Sequence, residues 1–139
     1  MKLNDVFTRN VVTAKPEETL AAVALKMQNH NVGAVVIVEE QRPVGMLTDR
    51  DIALAVAARG VSPQSAAREV MTRHVLAVPQ DTSIFTATKY IREREVRRLP
   101  IVDKDDRLVG LWSLDDLLRM LAKELYNLAE GIKHEMEIK

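Results

Sequence analysis

Two short segments carry the residue types best suited to holding a ligand. Gly45-Met46-Leu47-Thr48-Asp49-Arg50-Asp51 and Gly110-Leu111-Trp112-Ser113-Leu114-Asp115-Asp116 share the form Gly-apolar-apolar-Thr/Ser-x-x-Asp. Glycine at this place lets a strand end turn or lets a ligand approach the backbone. The hydroxyl residue opens a helix whose first-turn N–H groups attract anions. An acid one turn in can accept hydrogen bonds from vicinal ribose hydroxyls, as carboxylates do in other nucleotide folds. The same spacing is also that of a capping box, in which the hydroxyl and the acid only stabilise the helix start. Recurrence in both copies shifts the balance toward binding without settling it, because duplication copies a cap as faithfully as a binding residue. A third feature, Arg97-Arg98, offers guanidinium groups that make short, charge-assisted contacts to phosphate. The alternative for that pair is a solvated strand entrance neutralised by Glu93 and Glu95.

The elements that position these residues come from an internal repeat. An offset of 64 superposes Val6-Phe7-Thr8-Arg9-Asn10-Val11 on Val70-Met71-Thr72-Arg73-His74-Val75, and Ile37-Val38 on Ile101-Val102. One extra residue then moves the offset to 65, so that Val44-Gly45 meets Val109-Gly110 and Asp51 meets Asp116. In the first copy Leu20, Val23, Ala24 and Met27 make one helical stripe behind an N-cap at Thr19. Ile84, Ala87 and Ile91 repeat it after Thr82-Ser83. Short β-branched runs follow, Ala34 to Val38 and Leu99 to Val102, then partners at Val44 to Leu47 and Leu108 to Trp112. A second helix opens at Thr48 or Ser113, the first of these stopping at Arg59-Gly60. A unit of this size leaves one sheet face wet, so two units are expected to pack sheet to sheet with clefts between them.

Composition narrows the classes. Twenty basic residues balance twenty acidic ones, so no long-range field gathers nucleic acid or anionic membrane. Cysteine is absent, which excludes disulfides and thiolate metal sites and suits a reducing cytoplasm, the expected location. No apolar run reaches the ~18 residues of a membrane span. His30, His74 and His134 lack metal-ligand spacing. Asp103, Asp105 and Asp106 suit a turn rather than a calcium loop. No P-loop, Gly-x-Gly-x-x-Gly or Gly-x-Ser-x-Gly occurs, so the expectation is a non-enzyme with no catalytic residues, no metal and no catalytic cofactor.

The duplicated Gly-x-x-Thr/Ser-x-x-Asp units, with Arg98-Leu99-Pro100-Ile101-Val102-Asp103 on the preceding strand, resemble tandem cystathionine-β-synthase (CBS) repeats, the Bateman module. The likeness spans roughly residues 4 to 122. It implies an α+β fold of two pseudo-two-fold-related β-α-β-β-α repeats, at 4–60 and 68–122, with a helical tail at 123–139, the whole a stand-alone module. It further implies a regulatory sensor whose clefts bind AMP, ADP or ATP, or S-adenosylmethionine, with an unknown effector protein and pairing into a flat homodimer. The rival is a dimerising adaptor with no nucleotide ligand. By residue-wise carry-over Asp51 and Asp116 hold ribose. In the gamma subunits of AMP-activated protein kinase, to which the resemblance extends, a basic pair reaches the phosphates of the nucleotide held by the other repeat's Asp. The first expected site is therefore Met46, Leu47, Thr48 and Asp51 with the Leu76 backbone at the adenine and Arg97-Arg98 at the phosphates. The second is Val12, Gly33, Ala34, Leu111, Trp112, Ser113 and Asp116. Gly33-Ala34 stand where Arg97-Arg98 stand in the other copy, so this cleft is expected to be weaker or to suit a less anionic ligand.

Beyond the resemblance, Leu114, Leu118, Leu121, Leu125, Leu128 and Ile132 follow heptad spacing. Such a seam packs either on a partner or back on its own module, and spacing alone leaves both open.

Overall fold

The structure is a computed structural model that describes Leu3 and residues 7–138. Val6 of the repeat motif and the expected start of the first copy at residue 4 lie outside the described residues.

The two copies build the α+β architecture the repeat implies. In the first, β1 (Thr13–Ala14) leads to α1 (Leu20–His30), β2 (Ala34–Glu39), β3 (Arg42–Thr48) and α2 (Asp49–Ala53), which continues into a π-turn over Leu54–Ala58. Gly60 at φ 70° stops this helical segment, a conformation glycine adopts without strain. In the second, β5 (Val78–Pro79) is followed by α3 (Ile84–Arg94), β6 (Arg98–Val102), β7 (Leu108–Ser113) and α4 (Leu114–Ile138). The N-caps are Thr19 and Ser83, each accepting a backbone N–H at 3.1 Å. α1 and α3 end in left-handed residues, Asn31 and Glu95, again 64 apart. Both hairpins carry a register shift at the same place, between Ile37 and Val38 and between Ile101 and Val102.

The segment that opens each copy crosses to the other. β4 (Thr72–Arg73) belongs by sequence to the second copy yet pairs antiparallel with β3. Its counterpart Thr8 exchanges backbone hydrogen bonds with Leu111 at 2.9 Å. The repeated position of the glycines in the two copies follows from this crossing: a Cβ on Gly110 would overlap the Phe7 ring, and one on Gly45 would overlap Met71. Gly45 and Gly110 therefore make room for the crossing chain rather than for a ligand.

Burial follows strand alternation. Val35, Ile37 and Leu47 pack under α1 with Leu20, Val23 and Met27. Leu99, Ile101 and Trp112 do the same under α3, with Leu3, Phe7 and Val78. The opposite faces meet each other: Ala34, Val36 and Met46 form a third cluster with Val11, Val75, Leu108 and Leu111. Sheet packs against sheet, as expected for two units that cannot bury both faces alone.

α4 departs from the first copy's short helix. It runs 25 residues, and every residue from 121 to 136 is exposed. From Leu118 onward the leucine seam is not covered by the described residues of its own module, whereas Leu114 at its start is half-buried.

Candidate functional site between the sheets

The two Asp motifs form the same local structure. Thr48 N–H donates to Asp51 Oδ2 at 3.0 Å while Asp51 N–H donates to Thr48 Oγ1 at 3.1 Å. In the second copy Ser113 N–H donates to Asp116 Oδ2 at 3.2 Å and Asp116 N–H to Ser113 Oγ at 3.1 Å. Both are capping boxes, so the structural reading of the motif holds. It leaves chemistry over, because a carboxylate offers about four lone-pair sites and the cap uses one. At Asp116 a further site is taken by Arg119, whose Nη1 stands 3.4 Å from Oδ1.

Around Asp116 the inter-sheet faces leave a cleft of about 290 Å³, at the small end of ligand-sized pockets. Its walls include Val12, Gly33, Ala34, Leu111, Ser113 and Asp116, which are six of the seven residues expected there. The seventh, Trp112, is fully buried in the second core. Alternation explains the correction: if Leu111 and Ser113 face the cleft, the residue between them faces the helices. Leu47 is its counterpart and is buried beneath α1 for the same reason. Met46 and Thr48 lie on the inter-sheet face, Met46 inside the central cluster.

The expected distribution of charge also needs correcting. Arg98 lines the Asp116 cleft, whereas the sequence assigned it to the Asp51 side. Register is the cause: Arg98 pairs with Ser113 across the β6–β7 ladder, so both side chains leave the same sheet face. Arg98 is half-buried and makes no hydrogen bond or ion pair among the described residues. Arg97, one position earlier, is exposed, and its carbonyl accepts the Leu114 N–H at 2.8 Å. Leu76 packs its side chain against the second core; its counterpart Val12 lines the Asp116 cleft. Sequence reasoning missed Asn10 and Arg119 on the cleft wall. The signal for Arg119 was available in the i,i+3 spacing from Asp116.

Elsewhere the chemistry is structural. Asp103 Oδ1 accepts the Asp105 and Arg107 N–H groups at 2.8 and 3.0 Å, the turn role its sequence implied. The Arg107 N–H bond above all holds this carboxyl below its ordinary value. No group of three His, Asp or Glu among the described residues is arranged to hold a metal. No described helix is long and apolar enough to cross a membrane.

A pair of β-α-β-β-α units joined sheet to sheet, each with a capped Asp motif and one of these on the wall of an inter-sheet cleft, defines the class. The CBS domain family matches residues 3–58 and 67–123, and the chain belongs to that family. Among relatives it is 40% identical over 115 residues to the CBS domain-containing protein YhcV of Bacillus subtilis, covering 83% of this chain and 81% of that protein. Among solved structures, the CBS domain protein PAE2072 from Pyrobaculum aerophilum complexed with AMP superposes with a TM-score of 0.79 at 26% identity, covering 91% and 99% of the two chains. The CBS domain pair of protein MJ0100, in complex with 5′-methylthioadenosine and S-adenosyl-L-methionine, gives 0.80 at 25% identity over 89% and 98%.

Proposed function

We propose that this chain is a non-catalytic sensor of adenosyl ligands, with an AMP-, ADP- or ATP-like molecule seated in the Asp116 cleft. The observation that carries the reading is Arg98: a half-buried arginine, unpaired among the described residues, in the same cleft as a carboxylate with free lone pairs. Desolvating a cation without a partner is costly, and a phosphate would offset that cost with charge-assisted bonds. Asp116 would accept the ribose hydroxyls without giving up its cap. Leu111 and Val12 supply apolar surface for the base. AMP in one CBS structure and S-adenosylmethionine in another support the ligand class. Thr48, Asp51 and Met46, with Arg97 and the Leu76 backbone, form the second site of this proposal.

Binding that distinguishes two arrangements of the repeats would alter an effector's affinity, which is how such a module transmits its signal. The same reading includes a cytoplasmic homodimer, supported by the apolar groove of Leu20, Ala21, Ala24, Ile52, Val56 and Ala57 between α1 and the second helix. A dimerising adaptor indifferent to nucleotide is the second reading, favoured by the uncovered leucines of α4. Thermal melts separate them. Ligand at a hundred-fold excess over Kd adds ~2.7 kcal/mol to stability, and prolonged incubation leaves ATP unhydrolysed. A melting temperature unmoved by any adenosyl ligand at millimolar concentration would favour the adaptor.

A further inference from the structure

The Asp116 cleft holds a second guanidinium that the duplicated cap does not call for. Arg119 stands on the cleft wall with Arg98, and its Nη1 lies 3.4 Å from Asp116 Oδ1, the oxygen that the Ser113 N–H leaves open. That contact uses one of the five donors a guanidinium carries. The Arg119 side chain is 79% exposed against 24% for Asp116, so the pair is weak and the remaining donors are open to whatever enters. The first copy has Leu54 at this place, where no such contact can form.

The acids of the cleft show what this cation changes. Asp115 and Asp116 both line it, and Asp49 stands behind Gly33 on the other wall, its Oδ2 3.2 Å from where a Cβ on Gly33 would be. Without Arg119 a phosphate would enter a pocket in which Arg98 is the one lining cation among the described residues, against two lining acids with a third behind them. Such a pocket suits a cation. With Arg119 the lining charges balance two against two, and Asp116 is offset at its open oxygen, which leaves Arg98 to meet an anion. We propose that Arg119 is the specificity-determining residue of this cleft: it sets the charge class of the adenosyl ligand, admitting those with a phosphate on the ribose and disfavouring those with a sulfonium and an ammonium, as in S-adenosylmethionine. Ribose and base are common to both classes, so the choice falls on the group the ribose carries. The inference rests on the ligand reading above and adds a discrimination within it.

Calorimetric titration of adenosine, AMP, ADP and S-adenosylmethionine into the full-length wild type, Arg119→Gln and Arg119→Lys tests it. Arg119→Gln should weaken AMP and ADP about two- to fivefold, the upper range for an exposed charge pair, leave adenosine unchanged and tighten S-adenosylmethionine. Arg119→Lys should restore AMP, and added salt should shrink the difference between wild type and Arg119→Gln. Arg92→Gln, which removes an exposed arginine of α3 away from the cleft, should change none of the four. One common factor for all four ligands in Arg119→Gln, the same changes in Arg92→Gln, or wild type that binds S-adenosylmethionine more tightly than AMP overturns the inference. Arg98→Gln separates its failure from that of the ligand reading. AMP weakened by Arg98→Gln and untouched by Arg119→Gln overturns the charge selection and supports the reading, whereas wild type that binds no adenosyl ligand overturns both.

Discussion

Gly110 lies where β7 passes beneath the crossing segment, with a Cβ placed there meeting the Phe7 ring and standing 2.8 Å from the Thr8 carbonyl. The Thr8–Leu111 hydrogen bonds hold the carbonyl in place, and packing in the second core holds the ring. Gly110→Ala is therefore expected to cost ~1–3 kcal/mol, the range of overpacked cores, read by urea unfolding. Gly45→Ala should cost less, because much of what it meets is the flexible Met71 side chain. Trp112 makes a second prediction at this scale. Its Nε1 is buried and makes no hydrogen bond among the described residues, so its value is apolar volume. Trp112→Ala should cost ~3–5 kcal/mol and Trp112→Phe much less, since the phenyl ring keeps packing and removes an unsatisfied donor. The Asp motifs, the hydroxyl caps and the turn role of Asp103 were readable from residue types. The inward direction of Leu47 and Trp112 was readable too, had strand alternation been applied from Thr48 and Ser113 backwards. The crossing chain that makes the glycines necessary was not, because it pairs segments with no local signal of their meeting, Thr8 with Leu111 and Gly45 with Arg73.

At the scale of elements, β1 and the start of α1 are tied by one small network. Glu18 Oε1 lies 2.8 Å from Lys26 Nζ, Glu18 Oε2 accepts the Lys15 N–H at 2.6 Å, and Lys26 Nζ donates to the Thr13 carbonyl at 2.9 Å. Partial burial pushes the Glu18 carboxyl up, but the Lys26 hydrogen bond, the Lys15 N–H and both ammonium charges outweigh it and leave the value lowered. A carboxyl lowered in the folded state stabilises above its unfolded value, and the contribution is lost as pH falls through the lowered one. Glu18→Gln should thus cost ~0.2–1 kcal/mol at pH 7, a partly exposed pair being worth no more. The difference from wild type should vanish below the ordinary carboxylate range, as denaturant melts across pH would show. Helix stripes and paired strands were legible because their periods are local. The destination of Arg98 was only half legible: its strand was evident, but the cleft it enters depends on the ladder partner Ser113.

Across the whole molecule, two copies of one unit share a single inter-sheet core, with a cleft at Asp116 on its edge. Repeat arithmetic showed the pseudo-symmetry. It also suggested a cation-poor Asp116 cleft, by comparing Gly33-Ala34 with Arg97-Arg98 across copies while omitting what the second copy contributes to its own cleft. Arg98 and Arg119 both stand there, the latter one turn beyond Asp116 where the first copy has Leu54. Ligand binding in this cleft therefore depends on an anion meeting Arg98. Calorimetric titration of AMP and adenosine into wild type and Arg98→Gln tests it most directly. One lost charge-assisted contact, at about 1.5–3 kcal/mol, should weaken AMP about tenfold or more and leave adenosine unchanged. Saturable AMP binding with equal affinity in both proteins, or no binding of AMP to wild type at all, would contradict it.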